Sequence, residues 1–532
     1  MNNGSFLGAA ALLAATSLAS RFLGLMRDRM LSSTFGAGPE LDAYFTAFKI
    51  PDMVYAFVVL GALSAGFIPL FLERYKNNKE TAWKFSTQVL LCIGLVLSVL
   101  SVIGIVLAEP LMTILAPGFN SEVQEQAATI SRIMYVSTFL LGLSGVFGGI
   151  LQSMKRFAVF AVAPLFYNIG IIGGIFLAQI FDLGIMSVSY GVAAGAFMHF
   201  SIQFVGAWKC GFRTAVPRPL FDSGIKDLFE LMVPRIAALA MNQANIVALT
   251  VISSYLAAGS VSIFNLTNNI QYVPIGVIGI SFAIAAFPHL SDAADRKTME
   301  MFKSMVSSTT MQILFFLLPA SVLMLTLRAQ IIRVVLGTGS FSWNETIIAA
   351  NVLAVFAISI FAQALIPFYS RAFFAMKDTK TPALIAFISV ALNIFLAWVL
   401  AESAGIFGVA LSFTVASVFQ CALLFIFLKV KLGRMIDLRV LKSVMSMIIA
   451  AMLCGVMVEA LEELYSAMFN LDTFVSVLFQ TIFAGFGGIL VYIVVMWLWK
   501  NNEAMELLKI ASNKLYRRAG WTEGGEEAID NP

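Results

Sequence analysis

Fourteen stretches of this chain are long and apolar enough to constrain everything else. They lie near residues 5–35, 41–72, 85–108, 126–153, 158–181, 186–208, 228–256, 261–290, 304–327, 345–375, 381–401, 406–429, 440–460 and 474–499. About 20 apolar residues span the hydrocarbon layer as a helix. A spanning segment must satisfy its own backbone, which leaves helices or a closed barrel. Barrel strands would be runs of about ten residues with alternating polarity, and these runs are neither short nor alternating. The expected fold is therefore an all-α polytopic membrane protein of about 14 transmembrane helices. With 60% hydrophobic and 12% charged residues, the chain carries half the charge of a soluble domain, which is about 25% charged.

The few charges orient the helices. Lys and Arg gather in the even-numbered connections: Arg74, Lys76, Lys79 and Lys84; Lys155 and Arg156; Lys209, Arg213, Arg218 and Lys226; Arg296, Lys297 and Lys303; Lys377 and Lys380; Lys429, Lys431, Arg434 and Arg439. The odd connections carry Glu40, Glu109, Glu122, Glu125, Asp182, Glu402, Glu459, Glu462 and Glu463, with Arg328 and Arg333 against the trend. The positive-inside rule then places both termini and the even connections in the cytoplasm. The net charge of +4 belongs to these connections, and no nucleic-acid partner is expected.

That orientation makes "SRFLGLMRDRM" at 20–30 unusual. A first helix ending near residue 25 would place Arg27 and Arg29 as a basic flank on the outer side, against the rule. A helix of about 31 residues, roughly 46 Å long, instead holds Arg21 near mid-membrane and the Arg27–Arg29 cluster in the outer half. Arginine at a bilayer centre costs about 2.5–3.5 kcal/mol on insertion scales and marks a water-filled path or a paired site. Arg29 could equally snorkel to the interface. Arg21 and Asp28 share a helix face, whereas Arg27 and Arg29 point to nearly opposite sides.

The chain also repeats at an offset of about 220 residues. "FGAGPELDAYF" at 35–45 aligns with "LAAGSVSIFNL" at 256–266, and "SAGFIPLF" at 64–71 with "AIAAFPHLS" at 283–291. "SMKRF" at 153–157 aligns with "AMKDT" at 375–379, and "YGVAAGAF" at 190–197 with "FGVALSFT" at 407–414. Six helices separate the copies, so the halves are parallel repeats, an arrangement in which transporters bind substrate between the halves. The expected organisation is an N-terminal six-helix lobe at 1–209, a cytoplasmic linker at 210–227 and a C-terminal lobe at 228–430. Two additional helices follow at 431–500, then a cytoplasmic tail at 501–532 with a basic amphipathic helix and a disordered acidic end.

"SRFLGLMRDRMLSSTFGAGPELDAYFTAFKIPD", "LAPGF" at 115–119 and "NIQYVPIGVIGISFAIAAFPHLS" at 269–291 resemble segments of the MurJ/MviN lipid II flippases of the MOP transporter superfamily. The likeness runs across helices one to twelve and is strongest in the first seventy residues. It implies a flippase that moves lipid II, an undecaprenyl-pyrophosphate-linked muropeptide, from the inner to the outer leaflet of the bacterial cytoplasmic (inner) membrane. It implies alternating access with a cationic central cavity. By the same resemblance the pyrophosphate-binding residues are Arg21, Arg27, Asp28, Asp42 and Lys49, with Arg29, Asp52, Tyr55, Asn268, Asn269 and Arg235 as possible additional cavity residues. Two positions depart from the family: Tyr55 and Asn269 stand where arginines are expected. That keeps open a flippase for another polyprenyl-pyrophosphate-linked glycan, and less so a MATE-like exporter. Membrane lipids and the cell-wall synthesis machinery are the other implied partners.

Arginine matches the forked geometry of a pyrophosphate, and an inside-negative potential drives an anion outward. No GxxxxGK[ST] motif occurs, so no cofactor is expected and a membrane potential or ion gradient is the energy source. An enzyme would need a catalytic acid, base or metal pair; the two histidines, His199 and His289, are far apart, and no metal-ligand spacing exists. Cys92, Cys210, Cys421 and Cys454 read as packing residues. Asn168, Asn242, Gln243, Asn245 and Asn393 lie within apolar runs. They serve either interhelical hydrogen bonds or, at Asn242 and Asn393, a sodium site.

Overall fold

The computed structural model describes residues 3–61, 66–214, 223–295, 298–433, 438–501 and 503–505. Residues 215–222 of the expected linker, and nearly all of the expected tail, lie outside them. Among the described residues every regular element is helical. In chain order these are α1 (Asn3–Phe35), α2 (Pro39–Ala47), α3 (Lys49–Tyr55), α4 (Ile68–Asn77), α5 (Lys79–Val106), α6 (Ala108–Leu115), α7 (Ser121–Ser153), α8 (Phe157–Phe181) and α9 (Gly184–Lys209). They continue as α10 (Ser223–Ser254), α11 (Ser260–Pro274), α12 (Ile280–Asp295), α13 (Met299–Thr326), α14 (Arg328–Val335), α15 (Trp343–Ala375), α16 (Lys380–Leu432), α17 (Leu438–Met468) and α18 (Phe474–Leu498). Short π-helical segments, Ala56–Leu60 and Ile275–Gly279, follow α3 and α11.

Eleven of these stretches are long and apolar enough to cross a membrane, against fourteen apolar runs in the sequence. The difference has three sources. The runs at 5–35 and 228–256 lie in α1 and α10, whose side chains are only partly described. The runs at 381–401 and 406–429 lie in the single helix α16, which bends at Gly405 (φ +56°). That glycine falls between the two runs and adopts a conformation other residues rarely take.

The duplication is visible in the elements. A long helix, one connecting leucine and an eight-residue helix recur as α5–Leu107–α6 and α13–Leu327–α14. The 33-residue helices α7 and α15 follow each of them. The π segments begin at Ala56 and Ile275, close to the 220-residue offset.

The helices form two compact units. The first comprises Met1–Val273, Ile331–Phe356 and Lys380–Gln420; the second comprises Pro274–Gln330, Ala357–Thr379 and Cys421–Pro532. In the first, glycines on both helices bring α8 and α9 into close contact. A Cβ on Gly170 would stand 2.4 Å from the Gly195 Cα, and one on Gly195 would stand 2.5 Å from the Tyr167 carbonyl oxygen. Such small residues let helix backbones approach in a membrane, where burial offers little drive. The same unit holds an aromatic core of Phe67, Phe71, Phe85, Phe147 and Phe212. In the second unit α17 packs on α18 through Gly488, whose Cβ would meet Val458 and Cys454. The Tyr492 hydroxyl donates to the Phe315 carbonyl at 2.9 Å. All four cysteines are free thiols.

Candidate functional site

The site begins with a helix break. Pro51 has no N–H to donate, which interrupts the backbone ladder and separates α2 from α3 at Phe48. Lys49, Asp52 and Tyr55 then follow at three-residue spacing along α3, on one helical face. They line a cavity of about 390 Å³ together with Arg27 of α1, Tyr44 and Phe45 of α2, Thr138 of α7, Tyr167 of α8, and Asn265 and Asn269 of α11. The cavity lies wholly within the first unit. Its volume is at the lower end of the range of about 300–1,000 Å³ for sites that hold drug-sized ligands.

The charges are arranged in two ways. Arg27 grips Asp28 through Nη2 at 2.7 Å and Nε at 3.0 Å, and its Nη1 donates to Asn168 Oδ1 at 3.2 Å. The other Asp28 oxygen accepts from Asn269 Nδ2 at 2.9 Å. Asp28 is buried behind the wall, 3% exposed, so it neutralises Arg27 without facing the cavity itself. Lys49 instead donates to the uncharged Asn265 Oδ1 at 2.7 Å. Asp52 is exposed in the cavity wall. The lining thus carries two cations and one carboxylate, a smaller positive excess than an arginine at 55 or 269 would give.

The expected residues separate into those at the cavity and those elsewhere. Arg27, Lys49, Asp52, Tyr55 and Asn269 line it. Arg21 is half-buried on α1 and has no hydrogen bond or ion pair to the described residues; it is not part of the lining. Arg29 turns away and donates to the Val334 carbonyl. Asn268 accepts from Gln271 at 2.8 Å, and Arg235 is exposed on α10; neither lines the cavity. Asp42 faces backbone rather than cavity. Its carboxylate accepts the Gly259 N–H at 2.6 Å and the Ser262 N–H at 2.7 Å, capping the start of α11.

Asp42 belongs to a clasp at the 36–38 turn. The Ala37 N–H donates to Glu345 Oε1 at 3.0 Å. The Ser340 N–H donates to the Ser33 carbonyl at 2.8 Å, and Ser32 Oγ donates to the Leu336 carbonyl at 3.0 Å. Gly339 (φ +61°) sits so close to Ser33 that a Cβ would lie 2.2 Å from its oxygen.

The two asparagines considered for sodium are not together. Asn393 is buried and donates to Asn245 at 2.7 Å, whereas Asn242 is exposed. Among the described residues no cluster of metal-ligating side chains is present. His199 shares a 2.8 Å hydrogen bond with Ser144, and His289 is exposed.

Sequence reasoning missed Asn265, Asn168 as a partner of Arg27, and the aromatic lining. Phe45 and Phe48 share the helical spacing of Lys49 and Asp52, so that face was readable. Asn265 was a polar residue inside an apolar run, but which side chain it would meet depends on the fold.

The family model for lipid II flippase MurJ matches residues 31–480. A probable lipid II flippase MurJ of Rhizobium meliloti (strain 1021) is 29% identical over 418 residues, covering 77% of this chain and 78% of that protein. The probable lipid II flippase MurJ of Thermotoga maritima is 26% identical over 494 residues, covering 93% and 97%. Among solved structures, a lipid II flippase MurJ in an inward closed conformation matches with a TM-score of 0.75 at 24% identity, covering 92% of this chain and 99% of that one. An inward-facing MATE family transporter of the MOP superfamily matches with a TM-score of 0.65 at 16% identity, covering 79% and 98%. At these identities the structural likenesses speak to the fold.

Proposed function

The chain belongs to the lipid II flippase MurJ family, and on that premise we propose that it carries lipid II from the inner to the outer leaflet by alternating access, with the pyrophosphate held by Arg27 and Lys49. The observation that carries this reading is that two cations from different helices reach one cavity. Their partners leave them able to bind an anion. Lys49 donates to a neutral amide, and Asp52 one turn along offsets its charge only through space, without an ion pair. Arg27 is fixed in orientation by Asp28 and Asn168, which leaves its remaining Nη1 and Nη2 protons as pre-oriented donors for a phosphate.

The cavity is smaller than a disaccharide-pentapeptide. It takes the pyrophosphate end in this state, and the rest of the head group requires the cavity to widen. The clasp around Asp42 must release for the opposite side to open. The charge pattern of the connections supports cytoplasmic termini, and membership of the family supports a place in the inner membrane. The driving force is the membrane potential or an ion gradient, and the cell-wall synthesis machinery consumes the delivered substrate.

A second reading, a flippase for another polyprenyl-pyrophosphate-linked glycan, is favoured by Tyr55 and Asn269 at positions where the family resemblance expects arginine. One experiment separates the two. A bacterium depleted of its own lipid II flippase expresses this chain, and lipid II exposed on the outer face is measured. Restoration by the parent, lost in Arg27→Ala and Lys49→Ala variants at equal membrane abundance, is the expected result. An abundant parent that restores nothing overturns lipid II as the substrate.

A further inference from the structure

The four charged groups at the cavity wall are not equally paired. Arg27 and Asp28 neutralise each other, and Asn269 takes the remaining Asp28 oxygen. Lys49 has a neutral partner. Asp52 lines the cavity, and among the described residues its carboxylate accepts no hydrogen bond and forms no ion pair. Lys49, one turn back, offsets its charge through space without touching it, and a carboxylate with no direct partner in an apolar span usually faces a polar ligand or a water-filled path. A cavity serving only a bare pyrophosphate is weakened by a carboxylate one helical turn from Lys49. The sequence places one cation, Lys49, a turn before Asp52 and none a turn after it. Tyr55 follows it at i+3, where a cationic side chain would reach back and neutralise it; a phenol supplies a hydrogen-bonding oxygen and no charge.

We propose that Asp52, beside the Tyr55 hydroxyl, is a subsite for a primary ammonium on the substrate's head group, such as the side-chain amine of a diamino acid in its peptide. Lys49 and Asp52 then present adjacent anion and cation subsites to a head group that carries both charges. An ammonium brings three donors on a compact charge, and its charge-assisted contact to a carboxylate is among the stronger hydrogen bonds. The inference rests on the lipid II reading and adds a specificity to it, because it makes the peptide part of what the cavity reads.

The test uses the full chain in detergent and two probes. One is lipid II with lysine at the third peptide position; the other is the same molecule with the lysine amine acetylated. The measured quantity is the ratio of the two affinities. The parent should prefer the free amine by about tenfold, the scale of one charged contact. The ratio should fall to near one in Asp52→Asn and be partly retained in Asp52→Glu. Equal affinity of the parent for both probes overturns the ammonium subsite and leaves the flippase reading standing. So does a preference that persists in Asp52→Asn. If both probes bind only with added magnesium and the preference vanishes, the carboxylate serves an inorganic counter-cation and the proposal is overturned in that form. If the parent binds neither probe, the lipid II reading fails and takes this inference with it.

Discussion

At the residue scale, each charged side chain of the first helices has a separate task. Arg27 is held at three points, two on Asp28 and one on Asn168. Arg27→Ala leaves Asp28 with only the Asn269 amide, and transport should fall by about tenfold or more, the equivalent of one lost charge-assisted contact. Arg27→Lys keeps the charge but cannot reproduce the fork, so it should rescue only part of the loss. Outer-face lipid II is the readout for both. Asp42→Asn tests a different role. The amide offers one acceptor oxygen to two backbone donors and sets its own N–H₂ against the other. The buried mismatch should cost about 1–3 kcal/mol, visible as a lower unfolding midpoint of the detergent-solubilised protein. An unchanged midpoint would show that the cap on α11 contributes nothing to stability. Resemblance put Arg27, Asp28, Asp42 and Lys49 near one another, but not their partners. Asn168, Asn265 and the Gly259 amide are remote from them in sequence, and only the folded chain assigns them.

At the element scale, the cavity wall depends on how closely α8 lies against α9. Tyr167 and Ile171 of α8 line the cavity, and Gly170 and Gly174 between and beyond them face Gly191 and Gly195 of α9. A side chain at Gly195 would strike the Tyr167 backbone, which has no rotamer with which to yield. Gly195→Val should therefore lower both stability and transport while touching no charged residue. Gly173→Ala is the control, because a Cβ there meets nothing within 4 Å. A Gly195→Val protein as active and stable as the parent would mean the helices tolerate separation. The glycine spacing is legible in "YNIGIIGG" and "YGVAAGAF", where the second reads first as a marker of the repeat. The π segments after α3 and α11 were not legible. They require one extra residue per turn, and no residue type announces that.

At the scale of the whole molecule, the apolar runs and their bounding charges contained most of the architecture, because a helix that must cross hydrocarbon has few alternatives. The smaller positive excess of the cavity was only half legible. Tyr55 and Asn269 could be seen as missing arginines, but the neutralisation of Arg27 by a buried Asp28 is a matter of geometry. That balance bears on energetics. A membrane potential acts on the net charge that crosses, about 2.3 kcal/mol per charge per 100 mV. Arg27, Lys49 and Asp52 stay with the protein, so the charge that crosses is that of the substrate. An anionic head group moving outward from an inside-negative cell moves down the potential. Dissipating the potential with an ionophore in cells that depend on this chain should then lower the fraction of lipid II at the outer face, with membrane abundance unchanged. The fall should be steeper for a substrate whose peptide amine is acetylated, because that head group carries one more net negative charge. If the fraction does not respond to the potential for either substrate, the step that crosses the membrane is electroneutral. A compensating cation must then travel with the lipid, and the energy must come from an ion gradient instead.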